Sequence, residues 1–396
     1  MRHSHTVRAL VWVTLLAVAA IGAVAPEALA ANSKTHKKPV GTVYTQTNGL
    51  SSNAVIAFNR YADGSLKQRQ VVKTGGKGGA EQQPGCTATC PILDANGEVN
   101  LSSNGKLVFA VNAGSNTVSS FRETRTGLKR VDQKSSGGTF PISLTSHGNL
   151  LYVLNTNSGN ISGFHFSSSG HLSPIAGSTQ ALTANPPTGF GARQVGFDRT
   201  GRLLTATVLG ASLIDTFVLK ADDTPLAAVP HPTSSPLPFG FAFDWRNRLV
   251  VSQLVNPMGT GDTAVYDVSS SGAVTDNNTQ PSQGADPCWV AITKDGRFVF
   301  VVNTGGGAPA TITRYRLEDS GTLTFLGLTQ PNGQEFARTD EVLSRDSRFL
   351  YVLVPSIAKG DTSKIDEFQV GGDGSLSLIG ATPSKLPVGV SGLDGR

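Results

Sequence analysis

The stretch DPCWVAITKDGRFVFVVNTGGGAPATITRYRLEDSGTLTFLG, residues 286–327, contains the pattern that the rest of the chain repeats. It divides into four short apolar segments, WVAIT, RFVFVVN, TITRYRL and TFLG, separated by turns and a Gly-rich loop. Apolar residues stand at neighbouring as well as alternate positions, which predicts strands that are covered on both faces. A sheet of this kind needs neighbouring sheets, and repetition along the chain supplies them.

Two patterns each recur seven times along the chain. The first is a β-branched residue followed three positions later by an aromatic residue: Val55/Phe58, Val118/Phe121, Ile161/Phe164, Ile214/Phe217, Thr263/Tyr266, Ile312/Tyr315 and Ile365/Phe368. The second is a polar or Gly-containing turn that leads into an apolar residue soon after each aromatic. Repeats of about 40 to 50 residues with four strands each are typical of β-propellers. The sequence therefore predicts an all-β, seven-bladed β-propeller.

A third pattern marks the first two strands of a blade, and it occurs only six times. Blade one begins at VYTQTN, residues 43–48, without an inner strand before it. The C-terminal stretch LPVGVSGLDGR, residues 386–396, matches the inner strands of the other blades. We therefore expect residues 386–396 to pair into blade one and close the ring.

The segments at the N-terminus have a different composition from the repeats. Residues 1–30 combine a basic start, an apolar run and Ala28-Leu29-Ala30, which is typical of a cleaved signal peptide. A transmembrane anchor is the alternative, but the apolar run is shorter than the ~20 residues that a span requires. A basic linker, residues 31–40, and the propeller, residues 41–396, follow, with an insertion at about 74–97. We expect a secreted or periplasmic protein with no membrane span after cleavage.

The composition argues against nucleic-acid binding. Without residues 1–30 the chain has 31 basic and 27 acidic residues, and part of this excess lies in the linker. No basic stripe with interleaved aromatic residues follows. No cofactor is indicated, and the expected assembly is a monomer.

The blade pattern, DGRFVFVVN and above all GFGARQVGFDRTGRLLTATVLGAS, residues 189–212, carry a family resemblance. Over residues 40–396 the chain resembles the lactonase family of seven-bladed propellers, which includes bacterial 6-phosphogluconolactonase and fungal carboxymuconate cyclase. Family members show Gly-Pro-Arg-His, an apolar strand, a DGR turn and then Asn-Glu in this region. The resemblance implies the propeller fold and lactone hydrolysis.

Several positions of the family's site are replaced in this chain. Arg193 is kept, whereas Gln194 stands in place of the histidine and Val208-Leu209 in place of Asn-Glu. Phe140-Pro141-Ile142 stands where the family has Pro-His, and Arg338 matches a second arginine after a one-residue shift. The positive charge that would hold an oxyanion is kept, but Gln194 cannot act as a base near neutral pH.

The resemblance and the positions of strand heads give the candidate site residues. We expect Arg193 to hold a carboxylate or oxyanion, and Glu341 or Asp340 to replace the lost base. Gln194, Arg338 and Asp286 are the expected ligand-binding residues, because propeller sites lie on loops and strand heads at one end of the channel.

The three cysteines leave two pairings open. One joins Cys86 to Cys90 within the insertion and leaves Cys288 reduced; the other joins the insertion to Cys288 and makes it a lid over the channel. Four scattered histidines, His147, His165, His171 and His231, lack metal-ligand spacing, so no metal is expected.

Two functions follow from these observations. The first is a diverged hydrolase that acts outside the cytoplasm on a small anionic lactone. The second is a non-catalytic propeller that binds a ligand or protein on its channel face. An acidic residue or histidine within about 4 Å of the Arg193 guanidinium, in an open channel, favours the first.

Overall fold

The computed structural model describes residues 38–82, 89–90, 92–187, 189–255, 259–305, 308–330, 338–356, 362–382 and 386–396. The predicted signal peptide and the linker up to residue 37 lie outside the described residues, as does the middle of the insertion. Within the described ranges, no helix is long and apolar enough to cross a membrane.

The first three blades are antiparallel sheets formed by consecutive segments. Blade one contains β1 (Gly41–Gln46), β2 (Ala54–Arg60) and β3 (Leu66–Lys73), and the hairpin of β4 (Glu81–Gln82) and β5 (Thr89–Cys90) follows. Blade two contains β6 (Val99–Leu101), β7 (Leu107–Asn112), β8 (Thr117–Thr124) and β9 (Gly127–Ser135). Blade three contains β10 (Pro141–His147), β11 (Leu150–Asn155), β12 (Asn160–Phe166), β13 (Leu172–Pro174) and β14 (Gln180–Ala181). A 3-10 helix, Ala113–Ser115, joins β7 to β8.

The other four blades repeat the same order. Blade four contains β15 (Ala192–Phe197), β16 (Leu203–Val208), β17 (Leu213–Val218) and β18 (Val229–Pro232), with a 3-10 helix at Leu209–Ala211. Blade five contains β19 (Pro238–Phe243), β20 (Leu249–Leu254), β21 (Gly261–Val268) and β22 (Val274–Pro281). Blade six contains β23 (Pro287–Ile292), β24 (Phe298–Asn303), β25 (Thr311–Leu317) and β26 (Leu323–Thr329). Blade seven contains β27 (Thr339–Leu343), β28 (Phe349–Val354), β29 (Lys364–Val370) and β30 (Leu376–Ala381).

The last strand, β31 (Ser391–Gly395), closes the ring as the sequence predicts. It pairs antiparallel with β1, with Thr45 opposite Leu393 and Val43 opposite Gly395, and so forms the inner edge of blade one. The seven inner strands then contact one another in a circle, in the order β31, β6, β10, β15, β19, β23 and β27. The seven-bladed all-β fold is therefore confirmed.

The second strand of each blade forms the core. In blades two to seven, all six residues of this strand are buried, because neighbouring blades cover both of its faces. The asparagine that ends several of these strands has a specific role. Asn303 Nδ2 donates to Thr311 Oγ1 at 3.0 Å and to Thr313 Oγ1 at 2.9 Å, which ties the second strand to the third.

The polar turns between the first and second strands explain the recurring DGR pattern. Their third residue has a positive φ in six blades: Gly105, Gly148, Gly201, Asn247, Gly296 and Ser347. Glycine adopts this backbone conformation without steric cost, and Asn adopts it more readily than most residues. The turn therefore selects Gly at a fixed distance before each buried second strand.

The aromatic residue of the third strand is buried in all seven blades. In blades one, two, five, six and seven, the pairing of the third and fourth strands shifts register immediately before this residue. A β-bulge at this point re-aims the side chain into the space between blades. The aromatic residue that marks each repeat in the sequence therefore occupies the same buried position in the third strand of each blade.

Candidate functional site in the central channel

A cavity of about 380 Å³ lies among the inner strands, towards the end of the channel where the first and second strands of each blade are joined. Polar side chains make up much of its lining: Asn96, Asn100, Thr145, Gln194, Glu341 and Asp394. Aromatic residues Phe197, Phe241 and Phe243 also line it, and the exposed Arg199 is the basic residue of the lining. This mixture of amides, carboxyls and aromatic rings suits a small hydroxylated ligand.

Glu341 is a carboxyl group on the cavity wall whose hydrogen-bonding capacity is largely unused. It lies on β27 and is 8% exposed. Neither carboxyl oxygen has a hydrogen-bond partner among the described residues at normal geometry. Burial, helped by the charge of Asp340, raises the pKa of Glu341 well above its usual value, and the Ala291 backbone offsets part of this effect. A buried carboxyl group without a partner is energetically costly, so Glu341 is poised to bind a ligand or a proton.

Asp340 is held by the backbone rather than aimed at the cavity. Its φ is positive, and its carboxyl group accepts hydrogen bonds from the backbone N–H of Glu341 at 2.8 Å and of Leu393 at 2.6 Å. Burial raises the pKa of Asp340 well above the usual value. Because Leu393 lies on the closing strand, Asp340 joins blade seven to blade one.

Gln194 is committed to the neighbouring blade. Its Nε2 donates to the Phe241 carbonyl at 2.9 Å, and its Oε1 accepts from the Phe241 N–H at 2.6 Å. The side chain therefore takes the place of a strand neighbour between β15 and β19. Gln194 borders the cavity, but its amide oxygen and its amide nitrogen both hydrogen-bond to the Phe241 backbone.

Arg193 is enclosed rather than presented to an open channel. It is 1% exposed, and its Nη1 lies 2.9 Å from Glu81 Oε2. The same nitrogen donates to the Asp94 carbonyl at 2.9 Å, while Nη2 donates to the Gly189 carbonyl. An acidic group is thus within the distance expected of an enzyme site, but the guanidinium is occupied by protein groups.

The insertion after blade one provides this enclosure. Glu81 begins its short hairpin, and the Ala95 carbonyl near its end accepts a hydrogen bond from Trp289 Nε1 at 2.7 Å. These contacts fix the insertion against blades four and six. Glu81 and the Asp94 carbonyl therefore enclose the Arg193 guanidinium from the side of the insertion.

The cysteine arrangement is partly described. Cys288 is a buried free thiol, so the alternative bridge from the insertion to Cys288 is not formed. Burial raises the pKa of Cys288, and the charges of Asp94 and Asp286 add to this effect. Cys86 and the side chain of Cys90 lie outside the described residues, and their pairing stays a prediction.

The two remaining candidates, Arg338 and Asp286, do not line the cavity. Arg338 is fully buried and pairs with Asp366, with 2.8 Å between Nη2 and Oδ2. Asp286 Oδ1 accepts from the Gly259 N–H at 3.1 Å and so holds a loop of blade five. Of the six predicted site residues, the structure brings Glu341 and Gln194 to the cavity, whereas the side chains of Arg193, Arg338, Asp340 and Asp286 are engaged by protein groups.

Sequence reasoning missed several carboxyl groups near the channel. Glu98 is buried with Oε2 unpartnered in the described structure, and burial together with Asp340 raises its pKa well above the usual value. Asp394 lines the cavity and accepts from the Leu101 N–H at 2.6 Å; burial raises its pKa to about 6. Burial likewise raises the pKa of Asp94 to about 6, against the positive charge of Arg193. The sequence feature that could have indicated these groups was the presence of Asp94 in the insertion and of Asp394 in the closing strand.

The histidines are used in local contacts. His165 Nε2 lies 3.1 Å from Asp223 Oδ2, and His231 Nε2 lies 3.1 Å from Thr216 Oγ1. Across the described ranges, no group of three or more His, Cys, Asp or Glu residues is placed to hold a metal ion.

The raised carboxyl pKa values predict that the protein is more stable at pH 5 than at pH 8. A carboxyl group with a raised folded-state pKa stabilises the fold below its unfolded pKa, near 4, and this contribution is lost as the pH rises through the folded value. That value is about 6 for Asp94 and Asp394, and burial raises the pKa of Glu367 to about 7. The urea concentration at the unfolding midpoint, measured at constant ionic strength, should therefore be lower at pH 8 than at pH 5.

A pair of variants separates this effect from the general charge of the protein. Glu98→Gln should reduce the difference between the two midpoints, whereas the change Asp222→Asn at a fully exposed carboxylate should leave it unchanged. An equal or higher midpoint at pH 8 in the unmodified protein would contradict the prediction.

A closed ring of seven antiparallel blades around a polar channel defines a seven-bladed β-propeller. Within this class, residues 42–188 match the family model described as lactonase, 7-bladed beta-propeller. This match supports the resemblance inferred from the sequence over residues 42–188.

Solved structures with the same fold extend the comparison beyond the matched segment. The periplasmic gluconolactonase PpgL from Pseudomonas aeruginosa is 17% identical, with a TM-score of 0.66 over 89% of this chain and 98% of that one. A candidate 6-phosphogluconolactonase from Bacteroides uniformis is 18% identical, with a TM-score of 0.64 over 89% and 98%. A hypothetical selenium-binding protein from Sulfolobus tokodaii reaches 0.64 at 9% identity, over 90% and 92%. These identities show a shared fold alone, and the comparison with curated proteins finds no match.

Proposed function

We propose that this protein is an extracytoplasmic hydrolase of the lactonase family that opens a small, uncharged, hydroxyl-rich lactone in the channel cavity. The observation that carries the proposal is Glu341, a buried carboxyl group without a hydrogen-bond partner in the described structure, on the wall of that cavity. Its position suits a general base, since a raised pKa brings a carboxylate closer to the pH at which proton transfer is efficient.

The charge of the channel favours an uncharged substrate over the anionic lactone expected from the sequence. Glu341 and Asp394 line the cavity, and Glu98 and Asp340 lie buried close by. The one buried cation on the inner strand of blade four, Arg193, is paired with Glu81. An anionic substrate would be repelled by each of these carboxyl groups in its ionised form, which Glu341 must adopt to act as a base.

The size and chemistry of the cavity also fit this substrate class. Side chains of Asn96, Asn100 and Thr145 supply hydrogen-bond donors and acceptors for hydroxyl groups. Phe197 and Phe243, at the ends of β15 and β19, supply apolar surface for the carbon face of a ring. A pocket of a few hundred Å³ is within the range for small-molecule sites.

Hydrolysis of the lactone then needs one general base and hydrogen-bond donors that stabilise the oxyanion. Glu341 takes a proton from water as the water oxygen bonds to the lactone carbonyl carbon, and the carbonyl oxygen becomes an oxyanion. Amide donors of Asn96 or Asn100 stabilise that charge. When the ring C–O bond breaks, the leaving alkoxide takes the proton from Glu341, so the products are the hydroxy acid and unmodified enzyme.

Specific observations favour the second candidate, a propeller that binds the same kind of ligand without hydrolysing it. Gln194, in place of the family's histidine, is fully committed to the Phe241 backbone, and Arg193 is committed to Glu81. Glu341 would then act as a hydrogen-bonding partner for a ligand hydroxyl group.

The location outside the cytoplasm rests on the features of residues 1–30, which are typical of a cleaved signal peptide. PpgL, which shares the fold, is named a periplasmic protein. Together they support export of this protein.

Glu341→Gln is expected to lower kcat/KM for an uncharged aldonolactone by about 100-fold or more, because the amide cannot accept the proton. In the unmodified protein, kcat/KM should rise with pH through a pKa above the ordinary glutamate value. Hydrolysis of glucono-1,5-lactone is followed in a pH-stat, with the spontaneous rate subtracted.

Asp222→Asn, a change at an exposed carboxylate, serves as the matched control and should leave the rate unchanged. Binding of the lactone without hydrolysis would support the second candidate. If the lactone neither binds nor reacts, or if Glu341→Gln retains full activity, the cavity is not the site.

A further inference from the structure

A second cavity, which we call the basic groove, lies at the junction of blade seven and blade one. Its volume is about 540 Å³, and five cationic residues line it: Lys38, Arg60, Arg69, Arg345 and Arg396. The other lining residues, Pro39, Val40, Gly41, Thr42 and Asn59, are uncharged, so no Asp or Glu is among the described residues that line the groove.

Ring closure is what brings these cations together. Lys38, Arg60 and Arg69 come from the start of the chain, Arg345 from the first turn of blade seven, and Arg396 from the residue after the closing strand. The groove is separate from the channel cavity, since none of its lining residues lines that cavity.

Three of the arginines are held in fixed positions. Arg60 is 6% exposed, and its Nε donates to the main-chain oxygen of Arg396 at 3.1 Å. Arg396 Nη1 donates to the Asn104 carbonyl at 3.3 Å. Arg69 Nη2 lies 2.5 Å from Glu123 Oε1. Side chains fixed in this way lose little conformational entropy when a ligand binds.

The nearby acidic groups leave a positive excess in the groove. Glu123 neutralises Arg69. Asp346 lies close enough to Arg60 for the positive charge to lower its pKa, so its carboxylate offsets part of the charge of Arg60, and it also accepts from Ser344 Oγ at 2.6 Å. No carboxylate pairs with Lys38, Arg345 or the Arg396 side chain among the described ion pairs. Like charges in one groove repel each other, and a bound anion relieves this repulsion.

We propose that the basic groove binds a phosphate-bearing ligand. Four of the five cations are arginines, whose planar guanidinium groups form paired hydrogen bonds with phosphate oxygens. The space exceeds that of one phosphate, so a ligand with two phosphates or with a phosphodiester next to a polar group fits. A soluble phosphate compound and a phospholipid headgroup share this chemistry.

The test uses the full chain and two probes, inorganic pyrophosphate by isothermal titration calorimetry and vesicles by co-sedimentation. Vesicles of phosphatidylglycerol mixed with phosphatidylcholine are compared with vesicles of phosphatidylcholine alone. Arg345→Glu reverses one exposed charge in the groove and should weaken binding about tenfold. Lys294→Glu makes a comparable change at an exposed turn residue of blade six and should have no effect.

The outcomes distinguish the sources of the phosphate. Pyrophosphate binding that depends on Arg345 supports the proposal with a soluble ligand, and phosphatidylglycerol binding that depends on Arg345 supports it with a lipid headgroup. Circular dichroism checks the fold of the variant, and Lys38→Glu replaces it if Arg345→Glu does not fold. Absence of binding to both probes, or equal binding by Arg345→Glu and Lys294→Glu, overturns the proposal.

Discussion

Removal of residues 386–396 is expected to abolish the native fold at room temperature. The deletion exposes the edge of β1 and removes Leu386, Val390 and Leu393, each at most 5% exposed, from the core between blades seven and one. Burial of a large aliphatic side chain contributes about 1.5 to 3 kcal/mol, so these three alone supply about 5 to 9 kcal/mol. That is comparable with the entire stability of many domains.

Polar contacts across the closure add to this loss. Asp340 would lose the Leu393 N–H, and Leu101 would lose the Asp394 carboxyl group that accepts from its N–H. Unfolding is followed by circular dichroism and urea titration of the truncated chain. A synthetic peptide of residues 386–396 added in trans should restore part of the native signal, whereas the same peptide with Leu393→Asp should not.

One result would contradict the expected loss of the native fold on removal of residues 386–396. A truncated chain with the same melting temperature and urea midpoint as the intact protein would mean that the closing strand is dispensable, and the closure described above would not be the basis of stability.

Arg193→Met is expected to destabilise the protein by about 3 to 5 kcal/mol, because it leaves Glu81 buried without its partner. The carbonyl groups of Asp94 and Gly189 would also lose their donor. The double variant Glu81→Met/Arg193→Met should recover much of this loss, since a buried pair is often replaced by apolar residues at little cost. Arg345→Met, at an exposed arginine, provides the matched control and should change the free energy of unfolding by less than about 1 kcal/mol.

The same double variant separates a structural role of Arg193 from a substrate-binding role. If Arg193 acts only within the fold, the folded double variant keeps its activity or binding towards uncharged lactones. Loss of all activity in a double variant of normal stability would instead restore Arg193 as a site residue. A single variant Arg193→Met as stable as the unmodified protein would contradict the first part of the prediction.

The fold could be predicted in detail because its determinants are local. The turn glycines, the buried second strands and the third-strand aromatics lie within one repeat, so each blade shows them independently. Even the ring closure left a local trace, since blade one lacks an inner strand and residues 386–396 match one. These features depend on backbone conformation and burial, which leave a record in residue type.

The site could be predicted only in part, because it depends on pairs that are distant in the sequence. Nothing near Arg193 indicates that Glu81, from the insertion, neutralises it. The residue type shows that Gln194 cannot act as a base near neutral pH, but its hydrogen bond with the Phe241 backbone depends on the approach of two blades. Glu341 was among the candidates, although its lack of a partner and its place on the cavity wall appear only in the folded ring.

The closing strand also imposes an order on biosynthesis. β1 is among the first parts of the propeller to be synthesised, yet its partner β31 is among the last, about 350 residues later. At 5 to 20 residues per second, the delay is on the order of tens of seconds. Throughout this time the open edge of β1 can pair with strands of other chains, so the newborn chain needs protection until its final residues are released.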